Sequence, residues 1–168
     1  MKRSFRIPIP NLNFQQLAFL LISFYGLFSS CTQVGVFEKN LMIPGHKWDS
    51  AFKPSIEFEI ADTNSFYNIF LVVRHTDAYN FNNIWVKIRS KSPGDSIAVD
   101  QRFDLPLASQ NQWTGTGMDD IFEHRLLLYN NPVKFKQPGT YKVTIEQVMR
   151  ENPLQHVMNI GLRVEKLN

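Results

Sequence analysis

Residues 141–146, with the sequence YKVTIE, decide the fold class of this chain. Tyr141, Val143 and Ile145 are separated by single polar residues, which places the apolar side chains on one face of an extended strand. A helix would need apolar residues three or four positions apart instead. The segment therefore predicts a β-strand with one face in the core and the other in solvent.

Similar patterns recur along the chain from Pro54 onward, at residues 56–60, 66–74, 84–89, 97–105 and 158–164. Residues 66–74 (FYNIFLVVR) are apolar on both faces, as in a central strand that is covered on both sides. In the segment 97–105, Ile97 and Val99 are expected on the same inward face as Phe103 and Leu105. These segments extend the strand prediction over most of the chain.

Turn-forming residues separate the segments, for example Ser92-Pro93-Gly94-Asp95 and Gln137-Pro138-Gly139. Residues 118–129 fit both a helix and a strand period, and we favour a short turn followed by a strand. Seven or eight short strands joined by turns predict an all-β fold, an antiparallel β-sandwich of the jelly-roll or immunoglobulin-like type. We expect it to occupy residues 54–168.

The first 30 residues predict a cleaved export signal. Lys2, Arg3 and Arg6 form a positive start, and residues 17–28 (LAFLLISFYGLF) form an apolar run of about a dozen residues, the usual length in such signals. A membrane-spanning helix would need about 20 apolar residues. The formal net charge of +3 lies entirely in this segment. The remaining chain is formally neutral, so the composition gives no support to nucleic-acid binding.

Cys31 is the only cysteine and directly follows Ser29 and Ser30 at the end of the apolar run. Small residues before a cysteine resemble the bacterial lipobox, so we expect cleavage before Cys31 and attachment of lipid to it. The lipid would make the membrane a partner of the mature protein. Residues 31–53 show no sustained period, and we expect them to form the lipidated N-terminus and a tether.

Patterns that would indicate catalysis or metal binding are missing from the sequence. The four histidines lie far apart, without the spacing of metal ligands, and are expected at the surface or in turns. No Gly-x-Ser-x-Gly motif of a serine hydrolase occurs, and Gly115-Thr-Gly117 lacks the Lys-Ser/Thr ending of a phosphate-binding loop. We therefore expect no enzyme activity, no cofactor, no metal and no small-molecule substrate.

The candidate partner-contact residues lie in the polar loop 115–123 (GTGMDDIFE). Exposed loops carry binding residues more often than rigid strands do. Asp119 and Asp120 are expected as rim charges that tune the rate of encounter, and Met118 and Ile121 as apolar contacts that carry affinity.

An alternative function is a carbohydrate-binding or adhesion module on the cell envelope. Sandwich folds host many unrelated functions, so the fold alone does not decide. Under this alternative, the sugar-stacking side chains would be Trp48, Trp85 and Trp113.

Two longer segments carry a family resemblance: residues 66–88 (FYNIFLVVRHTDAYNFNNIWVKI) and 139–166 (GTYKVTIEQVMRENPLQHVMNIGLRVEK). Their most specific parts are Tyr67-Asn68 with Arg74, Tyr79-x-Phe81-x-Asn83, Glu146-Gln147-x-Met149-Arg150 and Gly161-x-Arg163-x-Glu165. Together with the lipobox, these segments resemble the gliding-motility lipoprotein family GldH of Bacteroidota. The resemblance implies an envelope protein without known catalysis that joins the gliding machinery, which in these bacteria is entwined with type IX secretion.

The residues after Cys31 predict the location of the anchored protein. Residues 32–36 (TQVGV) lack the acidic cluster that resembles a surface-export signal in this phylum. Thr32 is also not the aspartate that retains lipoproteins in the inner membrane. We therefore expect the protein on the periplasmic side of the outer membrane, among other gliding and secretion proteins.

Overall fold

Alternating apolar residues form the inner faces of antiparallel sheets in the computed structural model, which describes residues 35–167. The predicted all-β sandwich is confirmed. The strands are β1 (Val36–Met42), β2 (Lys47–Trp48), β3 (Ser55–Ile60), β4 (Tyr67–Thr76), β5 (Asn83–Lys91), β6 (Val99–Pro106), β7 (Ala108–Ser109), β8 (Gln112–Trp113), β9 (Thr116–Met118), β10 (Ile121–Leu127), β11 (Gly139–Gln147), β12 (Leu154–Gln155) and β13 (Val157–Lys166).

The two main sheets contain nine of these strands. One sheet has the order β1-β13-β4-β10-β9 and the other the order β3-β11-β5-β6. The two-residue strands pair separately, β2 with β12 and β7 with β8. Within residues 35–167, no helix is long and apolar enough to cross a membrane. The proposed export signal and Cys31 lie outside the described residues.

Aromatic side chains fill the space between the two sheets at the end where β1 begins. The ring of Phe58 lies 5.7 Å from that of Phe37 and 5.8 Å from that of Tyr141. Phe135 adds edge contacts to Tyr67 at 5.1 Å and to Phe58 at 5.9 Å. Because aromatic rings bury large apolar areas, these contacts account for much of the cohesion between the sheets.

β4 is the central strand that its sequence predicted. It lies between β13 and β10, and Leu71, Val72 and Val73 are all buried. Val72 faces outward, where no further layer of the described chain covers the sheet. Its cross-strand neighbours are Gly161 and Arg125. Long charged side chains such as Arg125 therefore cover Val72 on this outer face, where a second layer of structure is absent from the described chain.

The tether expected over residues 31–53 is wrong for its described part, because β1 is an edge strand paired with β13 from Val36 to Met42. The two-residue period is hidden by Lys39, which lies between Phe37 and Leu41 and pairs with Leu162. Lys39 thus faces the core side but remains exposed at the sheet edge. An inward-pointing charge on an edge strand hinders pairing with other chains. The sandwich begins near residue 35.

The burial expected for Ile97 and Val99 is wrong, although Val99 keeps the row of Phe103 and Leu105 on the inward side of β6. Both side chains are exposed, Ile97 by 78% and Val99 by 68%, whereas Leu105 on the same strand is buried. β6 is the edge strand of the four-stranded sheet, Val99 is its first residue, and Ile97 precedes it in the loop of the β5–β6 hairpin. The alternating pattern therefore continues past the point where the sheet offers a core to cover it.

The antiparallel strands give the sandwich two ends. The proximal end, where β1 begins, carries the loops of residues 61–66, 92–98 and 128–138 and the end of β13. The distal end, where β1 ends, carries the loops of residues 77–82, 107–115, 119–120 and 148–156. The candidate partner-contact loop lies at the distal end.

Candidate interaction surface

The predicted turn followed by a strand in residues 118–129 is confirmed as a tight hairpin between β9 and β10. Met118 pairs with Ile121, and Asp119 and Asp120 connect the strands. Asp119 adopts a left-handed conformation with φ of 55°, which aspartate tolerates better than most residues. The amide of Asp77 donates a hydrogen bond of 2.7 Å to the carbonyl oxygen of Asp120 and fixes the hairpin to the end of β4.

The four predicted contact residues line part of an open groove of about 370 Å³. Arg74 on β4 and Glu123 and Arg125 on β10 also line it. Met118 is 78% exposed, while Ile121 is half-buried. The groove thus combines apolar side chains with charges of both signs, which suits a peptide or protein segment better than a small polar ligand.

An ion-pair network crosses the outer face of the five-stranded sheet beside the groove. Glu123 pairs with Arg74 and, at 2.9 Å, with Arg125. Glu38 on β1 receives a hydrogen bond of 3.0 Å from Arg163. Partial burial opposes ionisation of Glu38, but the bonds from Arg163 and Asn40 keep its pKa below the ordinary value. The network holds charged side chains of four strands in fixed positions and balances their charges.

Two histidines meet beneath the groove, contrary to the expectation that all four lie at the surface or in turns. His75 on β4 and His124 on β10 are both buried, and their Nε2 atoms lie 2.9 Å apart. Nδ1 of His75 donates to the carbonyl oxygen of Thr76 at 2.9 Å. Nε2 of neutral His75 must therefore accept, and Nε2–H of His124 donates to it. The sheet pairing brings together residues that the sequence separates by 49 positions.

Burial keeps this pair uncharged. Loss of hydration lowers the pKa of His75, against the favourable influence of the Thr76 carbonyl and of Asp77. Loss of hydration, followed by the proximity of His75, lowers the pKa of His124 to about 4. Within the described chain, no group of three or more His, Cys, Asp or Glu side chains could hold a metal ion. The pair acts here as a structural contact between β4 and β10.

Stability should fall as pH is lowered through this pair. The pKa of His124 is below its unfolded value of about 6.5, so the unfolded state binds more protons between pH 6.5 and 4. The contribution is present above pH 6.5, and we expect about 2 kcal/mol of it to be lost between pH 7 and pH 5. Urea titrations at several pH values, followed by tryptophan fluorescence, would measure this slope.

The variant His124→Gln should flatten this pH dependence, because the titrating group is gone while a polar donor is kept. The exposed His46 provides the control, and His46→Gln should behave like the wild type. An unchanged slope in His124→Gln would show that the pair does not titrate as the geometry implies.

The three tryptophans differ in burial and location, which the sequence did not reveal. Trp48 is fully buried, so its role as a sugar-stacking side chain is wrong. Trp113 lines an open pocket of about 430 Å³ at the distal end. Its indole N–H donates to Asp77 at 2.7 Å, and its ring lies 4.5 Å from that of His75. Trp113 therefore helps hold the distal loops together, and only Trp85, 41% exposed, stands on a sheet surface.

The fold and this surface define a β-sandwich domain whose candidate site is an exposed hairpin with a groove of mixed apolar and charged side chains at one end. The chain belongs to the GldH lipoprotein family, whose family model matches residues 35–164. The gliding motility lipoprotein GldH homolog of Christiangramia forsetii is 30% identical over 88% of this chain and 94% of its own length. The gliding motility lipoprotein GldH of Flavobacterium johnsoniae is 29% identical over 83% of this chain and 90% of its own length.

Several residues that carry the family resemblance have structural roles at the distal end. Tyr79 is buried, and its hydroxyl donates to the carbonyl oxygen of Asn83 at 3.0 Å, which closes the β4–β5 loop. Phe81 packs edge-on against the ring of Tyr79 at 5.8 Å. The side chain of Gln147 is buried and donates to the carbonyl oxygen of Trp48 at 3.3 Å. These contacts set the shape of the distal loops.

Gly161 on β13 is required by close packing of the edge strand. A Cβ atom at this position would lie 2.6 Å from the carbonyl oxygen of Lys39 on β1 and would overlap the side chain of Asn40. Any larger residue would therefore push β1 away from the sheet. This contact explains the glycine of the Gly-x-Arg-x-Glu motif, while Arg163 and Glu165 take part in the ion-pair network.

Proposed function

We propose that this protein is a lipid-anchored, non-catalytic accessory component of the gliding motility and type IX secretion machinery in the cell envelope. Family membership and the names of the two relatives support the lipoprotein and gliding-motility parts of this role. The proposed contact surface rests on one observation, the exposed β9–β10 hairpin with its mixed apolar and charged groove. Buried apolar anchors surrounded by a polar rim are the usual composition of a protein interface.

The orientation of the sandwich supports a contact at the distal end. With lipid at Cys31, the chain enters the domain at the proximal end, where β1 begins. The seven residues of β1 then span about 23 Å, at roughly 3.3 Å per residue. The hairpin therefore lies about one sheet length from the end at which the chain enters the domain, where it can meet a partner away from that end.

We place the anchored protein on the periplasmic side of the outer membrane. The support is the sequence after Cys31, which lacks an acidic cluster and begins with Thr32. Protease added to intact cells should leave the protein undigested, and permeabilised cells should lose it. A surface-exposed lipoprotein digested under the same conditions provides the control. Digestion in intact cells would contradict the periplasmic location.

Substitutions in the hairpin should weaken function. The effect should be larger for side chains that the partner buries than for side chains at the rim of the contact. Replacing both Asp119 and Asp120 with Asn should reduce spreading and protein secretion modestly, because rim charges mainly affect encounter rates. Met118→Asp and Ile121→Asp should abolish both, because a charge would enter the apolar part of the contact. Complementation of a deletion strain measures the effect.

Met42→Asp provides the matched control, since Met42 is 73% exposed at the distal end and does not line the groove. Met118 is equally exposed, so its substitution should leave the fold intact even where Ile121→Asp lowers stability. Each variant is first checked for normal amount and membrane attachment. Full complementation by Met118→Asp and the double Asn variant would contradict a partner contact at this hairpin.

A further inference from the structure

The proximal end exposes large apolar side chains where a soluble sandwich would carry polar turns. Phe66, in the β3–β4 loop, is 51% exposed, and Ile97, in the β5–β6 hairpin, is 78% exposed. Val99 continues the same hairpin and is also exposed. These side chains come from two different loops, yet both loops project from the same end of the sandwich.

Basic side chains accompany these apolar residues. Lys91 at the end of β5 and Lys134 and Lys136 in the loop of residues 128–138 are exposed and form no ion pair with any residue in the described chain. The ammonium group of Lys134 lies 5.8 Å from the centre of the Phe66 ring. Asp62 at this end pairs with Lys166, at 2.8 Å, whereas Asp95 in the loop of residues 92–98 is an exposed carboxylate. Exposed apolar side chains flanked by free lysines are typical of surfaces that rest in a lipid headgroup region.

The chain leaves very little distance between this end and the proposed anchor. The amide of Lys166 donates a hydrogen bond of 2.6 Å to the carbonyl oxygen of Gly35, so the chain is held by the sheet from Gly35 onward. Only four residue steps separate Gly35 from Cys31, and a fully extended chain covers at most about 14 Å in that length. A lipid on Cys31 would therefore hold the proximal end close to the bilayer.

We infer that the proximal end is a membrane-contact surface that rests on the phospholipid bilayer, with Phe66 and Ile97 in the interfacial region and Lys134 and Lys136 at the phosphate groups. This inference rests on the proposed lipidation of Cys31. The short link between Cys31 and Gly35 would then determine which end of the sandwich meets the membrane. The distal hairpin then faces away from the bilayer.

Depth-dependent fluorescence quenching tests the inference on the full lipoprotein. The protein is reconstituted into vesicles of phosphatidylethanolamine and phosphatidylglycerol in which part of the acyl chains carries bromine. Phe66→Trp places a reporter at the proximal end, and Phe52→Trp places a matched, 38% exposed reporter in the loop before β3 at the distal end. The native Trp48, Trp85 and Trp113 all lie toward the distal end and provide the baseline.

We expect brominated acyl chains to quench the added fluorescence of Phe66→Trp several-fold more than that of Phe52→Trp. Flotation of the vesicles separates the two ways in which this expectation could fail. If both variants float with the vesicles but are quenched equally little, the membrane contact is overturned while the anchor stands. If neither variant floats, the anchor itself is absent, and this inference falls together with the proposed lipidation.

Discussion

Ile145→Asp should unfold the domain under conditions in which the wild type is stable. Ile145 is fully buried in β11, pairs with Ile88 on β5 and lies at the centre of the four-stranded sheet. The substitution removes a large apolar side chain and leaves a carboxylate without a partner in the core. We expect a loss of at least about 4 kcal/mol, a large part of the total stability of a domain of this size.

Denaturant titrations followed by tryptophan fluorescence measure the loss, because Trp48 is buried and reports on unfolding. Thr144→Asp is the matched control one residue away. Thr144 faces outward, where its hydroxyl lies 3.2 Å from that of Ser55 and its cross-strand neighbour is Arg89. This control should cost well under half as much. Equal losses for the two variants would mean that the register of β11 differs from the one described here.

Strands with an uninterrupted two-residue period were predictable from the sequence. In β3, β5 and β11 every second residue is buried, and the same residues alternate with polar ones in the sequence. The period carries this information because one face of an antiparallel sheet meets the core and the other meets solvent. β1 escaped prediction for the same reason, since the exposed Lys39 interrupts its apolar row at the sheet edge.

Only the hairpin of the candidate surface, whose residues are adjacent in the sequence, was predictable. The hairpin residues Met118 to Ile121 follow one another along the chain, so a polar, glycine-containing stretch was enough to identify a turn. The groove is also lined by Arg74, which lies 49 residues before its ion-pair partner Glu123. Register between β4 and β10 creates this neighbourhood, and periodicity within a strand contains no information about which strands become neighbours.

The buried histidine pair illustrates the same limit. His75 continues the inward row of Leu71 and Val73, and His124 lies in the inward row of β10. A reader of the sequence could have noticed that His75 keeps the period of an apolar strand. Nothing local, however, indicates that the histidine on another strand supplies the hydrogen bond that makes its burial tolerable.

The proposed anchor would determine the orientation of the sandwich relative to the bilayer. A lipid at Cys31 would place the proximal end, with Phe66 and the lysines, toward the bilayer and the β9–β10 hairpin away from it. The short link matters because a tether of the length expected from the sequence alone would have left the orientation undetermined. The consequence for function is that removal of the lipid should abolish activity even when the distal surface is intact.

Cys31→Ser should abolish both lipid attachment and function, because a serine hydroxyl does not replace the thiol as the site of lipid transfer. Metabolic labelling with an alkynyl fatty acid should mark the wild type and not the variant. The variant should leave the membrane fraction or remain unprocessed, and it should fail to restore spreading in a deletion strain. Thr32→Ser changes the neighbouring residue, keeps Cys31 and should label normally. Undiminished label on Cys31→Ser would show that the lipid is attached elsewhere, and the orientation of the sandwich would then have to be derived from that other site.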